Sequence, residues 1–355
     1  MTTRERILAV LNGEEYDRIP ILQYDNLIFP NESFWEKYGR ENVGVLHRCG
    51  MTKAVGQMYS VESYECVEGC LRVRYSEIKT SKGTLRDKTV FDPALNSPAK
   101  EKHFVSTPEE YAVLLEYLND QKVVEDVERY TSCLKYVGDD GIPMICSNRT
   151  PFQQMWVAWV SLEDLCIDIV EHEDVVVACL ERLMEIEVDK LKMLAYLQKD
   201  YPFEIFNVPD NITAHAIGRK YFREYCIPFY NKAREYVDTP IISVHIDGEF
   251  KALADDIINS EVTAIESYTP PPISDMTVTQ SLAMRDTMRL FMNFTSSVHI
   301  KTHNEIYDHT IALLNEGEAS GRMWLQFSED IPPDRREANI HVIIKAVNDY
   351  YEGKR

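Results

Sequence analysis

Between Pro143 and Asp330 the chain alternates short apolar runs with helical segments. The runs are PMICSN, FEIFNVPDN, PIISVHID, VTAIES, RLFMNF and MWLQFSED. Strands spaced by helices imply parallel pairing, because a parallel neighbour is reached only by a crossover connection. Between the first two runs lies a long helical stretch. There Val177, Leu180, Met184, Val188, Leu191 and Ala195 form a stripe at spacings of three and four. Another helical segment, GRKYFREYCIPFYNKAREYV, contains Pro228, which predicts a kink. Adding RIPILQY and one unassigned strand before residue 100 gives eight strands, so the expected fold is α/β, a (β/α)8 barrel.

Two further segments complete the expectation. The opening MTTRERILAVLNG reads as an N-terminal helix with a capping box of Thr2 and Glu5, closed by Gly13. Residues 52–105 differ in character. CLRVRYSEIKTSKGTLRDKTVF alternates and turns at SKG, which predicts a β-hairpin insertion into a single domain spanning 1–355. Helices are then predicted from TPEEYAVLLEYLND to about Tyr136.

Bulk properties narrow the function. A net charge of −20 over 355 residues argues against nucleic acid or an anionic membrane as partner. No apolar run approaches the roughly 20 residues of a membrane span. The opening lacks a signal peptide's apolar core, and the eight cysteines are scattered, which reads as a cytoplasmic chain with reduced thiols. Cys66 and Cys70, in CVEGC, have poor spacing for a zinc knuckle.

Polar residues sit where the apolar runs end: Asn148, Asp210 and Asn211, His245 and Asp247, Glu266, Asn293, then Glu329 and Asp330. In a parallel barrel these ends share one face, where active sites form. His245 and Asp247 alone are equally well read as a hydrogen-bonded pair finishing a strand. Adding Glu266 and Glu329 gathers one imidazole and three carboxylates, which is costly without a cation. The metal site expected is therefore His245, Asp247, Glu266 and Glu329. Zinc is the first choice, with Mn²⁺ or Fe²⁺ also suited to an oxygen-rich set. His245, Asp247 and Glu266 are the expected catalytic residues; Tyr24, Asn148, Asp210 and Asn211 the expected substrate contacts. Phe29, Phe152 and Trp156 are as well explained by core packing as by a substrate wall. His299, His303, His309 and His172 are weaker candidates. A facial triad of His245, Asp247 and His299 would suit a β-rich chain better than this one. No Gly-x-Ser-x-Gly elbow, Walker loop or Gly-x-Gly-x-x-Gly occurs.

TTRERILAVLNGEEYDRIP and EDIPPD resemble the opening and closing segments of the uroporphyrinogen decarboxylase superfamily, whose members are (β/α)8 barrels. The superfamily includes decarboxylases and zinc-dependent, corrinoid-linked methyltransferases. The decarboxylases' arginine-rich RQAGR segment corresponds here to QYDNLIFPNESFWEKYG, with no arginine before Arg40. The thiol-methylating branch has His-x-Cys, Glu and a late Cys where this chain has His245 with Asp247, Glu266 and Glu329, so both thiolates become carboxylates. PDNITAHAIGRKYFREYCIPFY is similar to the segment before that site, with Asp210 and Asn211 at the rim. Components that demethylate methoxylated aromatics resemble this oxygen and nitrogen pattern. The resemblance implies a methyltransferase that moves a methyl group from a small methylated substrate to a corrinoid protein's cob(I)alamin. Transfer from methylcobamide to a thiol, decarboxylation and a non-catalytic binding role are the alternatives. Oligomeric state stays open, a homodimer included.

Overall fold

The computed structural model describes residues 1–93 and 98–353. They group into two compact units. The first comprises Met1–Met51, Asp126–Ser147 and Ala195–Arg355; the second comprises Thr52–Glu125 and Asn148–Leu194.

In chain order the strands are β1 (Ile21–Tyr24), β2 (Gly44–Cys49), β3 (Thr52–Gly56), β4 (Val61–Glu68) and β5 (Leu71–Thr80). There follow β6 (Gly83–Phe91), β7 (Pro98–Lys102), β8 (Gln121–Glu125), β9 (Gly141–Cys146) and β10 (Ile205–Val208). The last four are β11 (Ile241–His245), β12 (Ala264–Tyr268), β13 (Arg289–Asn293) and β14 (Met323–Phe327).

The first unit is the expected (β/α)8 barrel. Among the described residues, β1, β2 and β9 to β14 close it in parallel, in the order β1-β14-β13-β12-β11-β10-β9-β2. β1 closes the ring by pairing Leu22 with Gln326 on one side and Tyr24 with Leu46 on the other. The unassigned strand is β2, GVLHRC. Inside the barrel Trp324 and Phe291 are fully buried and stack at 3.7 Å, a large apolar plug beneath the mouth.

Local signals act as anticipated at the first helix, Thr3–Asn12. The Thr2 hydroxyl accepts from Glu5 N, the Glu5 carboxylate accepts from Thr2 N, and Gly13 ends the helix at φ 74°. The Pro228 segment breaks rather than bends. Ala214–Tyr221 passes through a π turn at Phe222–Cys226, and Pro228 sits in the first turn of Ile227–Tyr236, where its missing N–H costs nothing.

The second unit holds the hairpin. β5 and β6 turn through SKG and pair along their length, with β4 and β7 outside them. The helices expected up to about Tyr136 are present, but a strand that was not expected separates them. Glu110–Asn119 stops at Asp120, β8 intervenes and pairs antiparallel with β3, and helix resumes at Val127–Val137. The β-branched Val123 and Val124 favour that strand. Among the described residues no helix is long and apolar enough to cross a membrane.

Gly141 shows how tightly the barrel closes. It lies buried at the start of β9, paired with Val45, and a Cβ there would overlap the Val45 carbonyl oxygen. Backbone cannot yield as a side-chain tip can. Gly141→Ala is therefore expected to cost about 1–3 kcal/mol in urea unfolding of the barrel; an unchanged midpoint would contradict this closure.

Candidate active site

Parallel pairing sets His245 of β11 directly beside Glu266 of β12. Alternation along each strand then sends both side chains toward the barrel interior while Val244 and Ile265 face outward. Glu266 is completely buried, so its charge needs partners. It has three. The Tyr24 hydroxyl from β1 and Gln326 Nε2 from β14 (2.6 Å) donate to Oε1, and His245 Nδ1 lies 2.6 Å from Oε2. Gln326 is itself oriented by Trp324 Nε1, which donates to its carbonyl at 3.0 Å. Strands from opposite sides of the barrel thus meet on one carboxylate.

This contact sets protonation. Burial pulls the His245 pKa down, but the adjacent Glu266 charge and hydrogen bond and the nearby Asp247 charge outweigh it and push the pKa up to about 9. Burial pushes Glu266 up, yet His245, Tyr24 and Gln326 hold it below its ordinary value. Burial also raises Tyr24 well above the usual phenol range, reinforced by Glu266. At neutral pH the centre is an imidazolium–carboxylate pair beside a neutral phenol. With Nδ1 engaged by Glu266, Nε2 is the outer nitrogen, 3.8 Å from Asp247 Oδ2. Both side chains are only partly exposed, 19% and 28%.

The remaining predicted residues are placed differently. Asp210, at the end of β10, is completely buried and accepts from the Tyr230 hydroxyl at 2.7 Å. Asn211 is exposed. Glu329 accepts from Ser296 N at 3.1 Å. Asn148 belongs to the second unit, where its Nδ2 donates to Glu187 Oε1 at 2.8 Å. Thus Tyr24, His245, Asp247 and Glu266 come together, while Asp210 and Glu329 have their own partners. Among the described residues no group of three or more His, Cys, Asp or Glu side chains is gathered to hold a metal ion. His299 is fully buried and contacts Phe294 and Asn339, a packing position.

Several site residues escaped the sequence reading. Gln326 carried a signal, a lone amide inside MWLQF. Ser243 and Asn207 carried similar ones; the Ser243 hydroxyl donates to Asn207 Oδ1 at 2.8 Å. Ser267 carried none. It directly follows Glu266 with φ 57°, a left-handed conformation that is costly for a serine, and its hydroxyl contacts that of Ser328 at 2.7 Å. The strained residue coincides with a break in register between β12 and β13 at Glu266 and Tyr268. Arg48 carries no signal either, because β2, in which it lies, does not stand out from its surroundings in the sequence.

A polar centre at the carboxyl mouth of a parallel barrel is a place for enzyme chemistry in this architecture. Residues 90–350 match the family described as uroporphyrinogen decarboxylase (URO-D), and the chain belongs to that family. The solved structure of a methyltransferase from Methanosarcina mazei has a similar fold. It aligns over 99% of each chain with a TM-score of 0.58 and 13% sequence identity. No curated protein sequence matches the chain.

Glu266→Gln tests the pair. The stabilisation supplied by ionised His245 is complete below its ordinary value of 6.5 and is lost as pH rises through about 9. That of Glu266 is present above its ordinary 4.5 and lost on acidification. The amide should remove both dependences and return the His245 resonance, followed by NMR titration, to a lower pKa. A His245 pKa that stays near 9 in the variant would show that Glu266 does not hold the proton.

Proposed function

We propose that this family member is a methyltransferase that moves a methyl group from a small methylated substrate, a methoxylated aromatic, to the cob(I)alamin of a separate corrinoid protein. The observation that carries the reading is the buried Glu266 holding His245 with its outer nitrogen free of Glu266. An aryl methyl ether reacts poorly because the phenolate oxygen leaves reluctantly. As the carbon–oxygen bond breaks, the bonding pair stays on oxygen and the methyl passes to the acceptor nucleophile. With no ion on Nε2, His245 Nε2–H donates its proton to that oxygen, and Glu266 holds the ring in place. Asp247 beside Nε2 orients the imidazole, and Tyr24 keeps Glu266 in register with it. Family membership and the methyltransferase of like fold support the class.

A divalent metal, zinc by preference, is part of the proposal. His245 Nε2 and Asp247 Oδ2, 3.8 Å apart, have the donor types of two ligands on one ion but would have to close up to share it, and Glu266 on Nδ1 is the orienting partner such a histidine has. The set is incomplete as placed. Glu329, the further carboxylate of the expected set, would have to turn toward the pair, or water and substrate fill the remaining positions, while Glu266 stays on Nδ1. Bound there, the ion would supply Lewis acidity to the leaving oxygen. Proton and ion compete for the same nitrogen and serve the same end.

Cob(I)alamin should be methylated by at least one methoxylated aromatic in a panel that also holds methylamines and methylated thiols. His245→Ala should lower the rate by about 10²–10⁴ while the far-UV spectrum is kept. Metal analysis should find about one ion per chain, reduced in that variant. No methylation from any donor would overturn the reading, and a metal-free, fully active preparation would remove the ion from it.

The partner proposal is separately testable. With a net charge of −20, docking to a carrier with basic residues is steered by charge. Raising salt should slow transfer to the carrier more than to free cob(I)alamin. Equal slowing of both acceptors would end the steering argument.

A further inference from the structure

Arg48 lies in the carboxyl-terminal part of β2. It is next to the described centre but takes no part in it. Its guanidinium sits over the Tyr24 ring, 4.1 Å from the centroid, and its Nε donates to Asp25 Oδ1 at 3.1 Å. Its backbone N–H donates to the same oxygen at 3.0 Å. The side chain is thereby fixed on two sides, by a ring face and a carboxylate. What remains is the outer edge. Among the described residues no hydrogen bond reaches Nη1 or Nη2, and the side chain is 43% exposed. One tyrosine connects this cation to the reaction centre, since the Tyr24 hydroxyl bonds Glu266 and lies 3.4 Å from His245 Nδ1.

A guanidinium with Nε occupied and two terminal N–H groups free presents a fork that matches a planar carboxylate. Stacking on Tyr24 removes the conformational freedom that an exposed arginine normally loses on binding. The electrostatic setting makes the feature consequential. The centre contains Glu266 and Asp247 in a strongly acidic chain, so an anionic substrate would be repelled from the mouth unless a cation received it. A tie between β1 and β2 would need only the Asp25 contact and leaves the free fork unexplained.

We infer that Arg48 is a specificity-determining residue that receives a substrate carboxylate, which makes the preferred substrate an aromatic acid bearing its methyl ether on the same ring. The inference rests on the function proposed above and narrows it. The fork takes the carboxylate at one end of the substrate, and the ring spans from there past Tyr24 toward His245. An ester or amide of the same compound offers no charge and leaves the fork unpaired.

The test is calorimetric binding of 3-methoxybenzoate and 3-methoxybenzamide to the full-length protein, so that no methyl transfer is needed for the readout. The wild type should bind the acid at least about tenfold more tightly than the amide, the scale of a charge-assisted hydrogen-bond pair. Arg48→Gln should collapse that ratio toward one, and Arg48→Lys, which keeps charge but loses the fork, should fall between. Asp25→Asn serves as the structural control: it loosens the tether and should reduce the ratio less than Arg48→Gln. Equal affinities in the wild type, binding of neither compound, or an Arg48→Gln variant that weakens both compounds in proportion would each overturn the inference. Methyl transfer from neutral ethers with no preference for acids would sink Arg48's role and leave the proposed reaction standing. Arg48-dependent acid binding without methyl transfer from any donor would do the reverse.

Discussion

A carboxylate with no solvent exposure must be compensated or it will neutralise, and Glu266 is compensated by three strands at once. Tyr24 comes from β1, Gln326 from β14 and His245 from the adjoining β11. Removing any one donor leaves a buried charge short of a partner, a penalty of about 1–3 kcal/mol or more. The contacts that keep Glu266 ionised are the ones that position His245. Closure of the ring through β1 and β14 therefore does more than complete a barrel, because it delivers the two donors without which the imidazolium would lose its counter-charge.

The layer beneath explains why this arrangement holds its place. Trp324 stacks on Phe291 and uses its indole N–H to orient Gln326, so the apolar plug and the polar centre are mechanically one piece. Above it, Ser267 is held at φ 57° immediately after Glu266. Strain of that kind persists only where surrounding structure over-determines it, and here it sits at the register break beside the buried carboxylate. The family and the fold then place such a centre where barrels of this kind carry out chemistry.

The regular part of the fold was readable because short apolar runs and helical segments alternate after Pro143. That alternation also marked His245 and Glu266 as strand residues, His245 ending β11 and Glu266 lying within β12, and parallel register made them neighbours. β2 was not readable: GVLHRC is half polar and too short to stand out from its surroundings. β8 was hidden because QKVVED adjoins two helices and gains its strand character from pairing with β3. Carboxylates named together by their positions in sequence separate in space for a similar reason. Glu266 lies inside a strand, whereas Glu329 follows β14 and is captured by the Ser296 amide. Spacing along the chain fixes which face a strand residue occupies; it does not fix where a loop carboxylate turns.

The sensitivity of methyl transfer to leaving-group acidity bears most directly on the role given to Glu266 and His245. In a series of ring-substituted aryl methyl ethers, the logarithm of the rate can be plotted against the pKa of the departing phenol. If His245, through its proton or a metal it holds, neutralises charge on the departing oxygen, the wild-type slope should be shallow and that of His245→Ala distinctly steeper. Equal slopes in the two proteins would contradict that role, whatever their absolute rates.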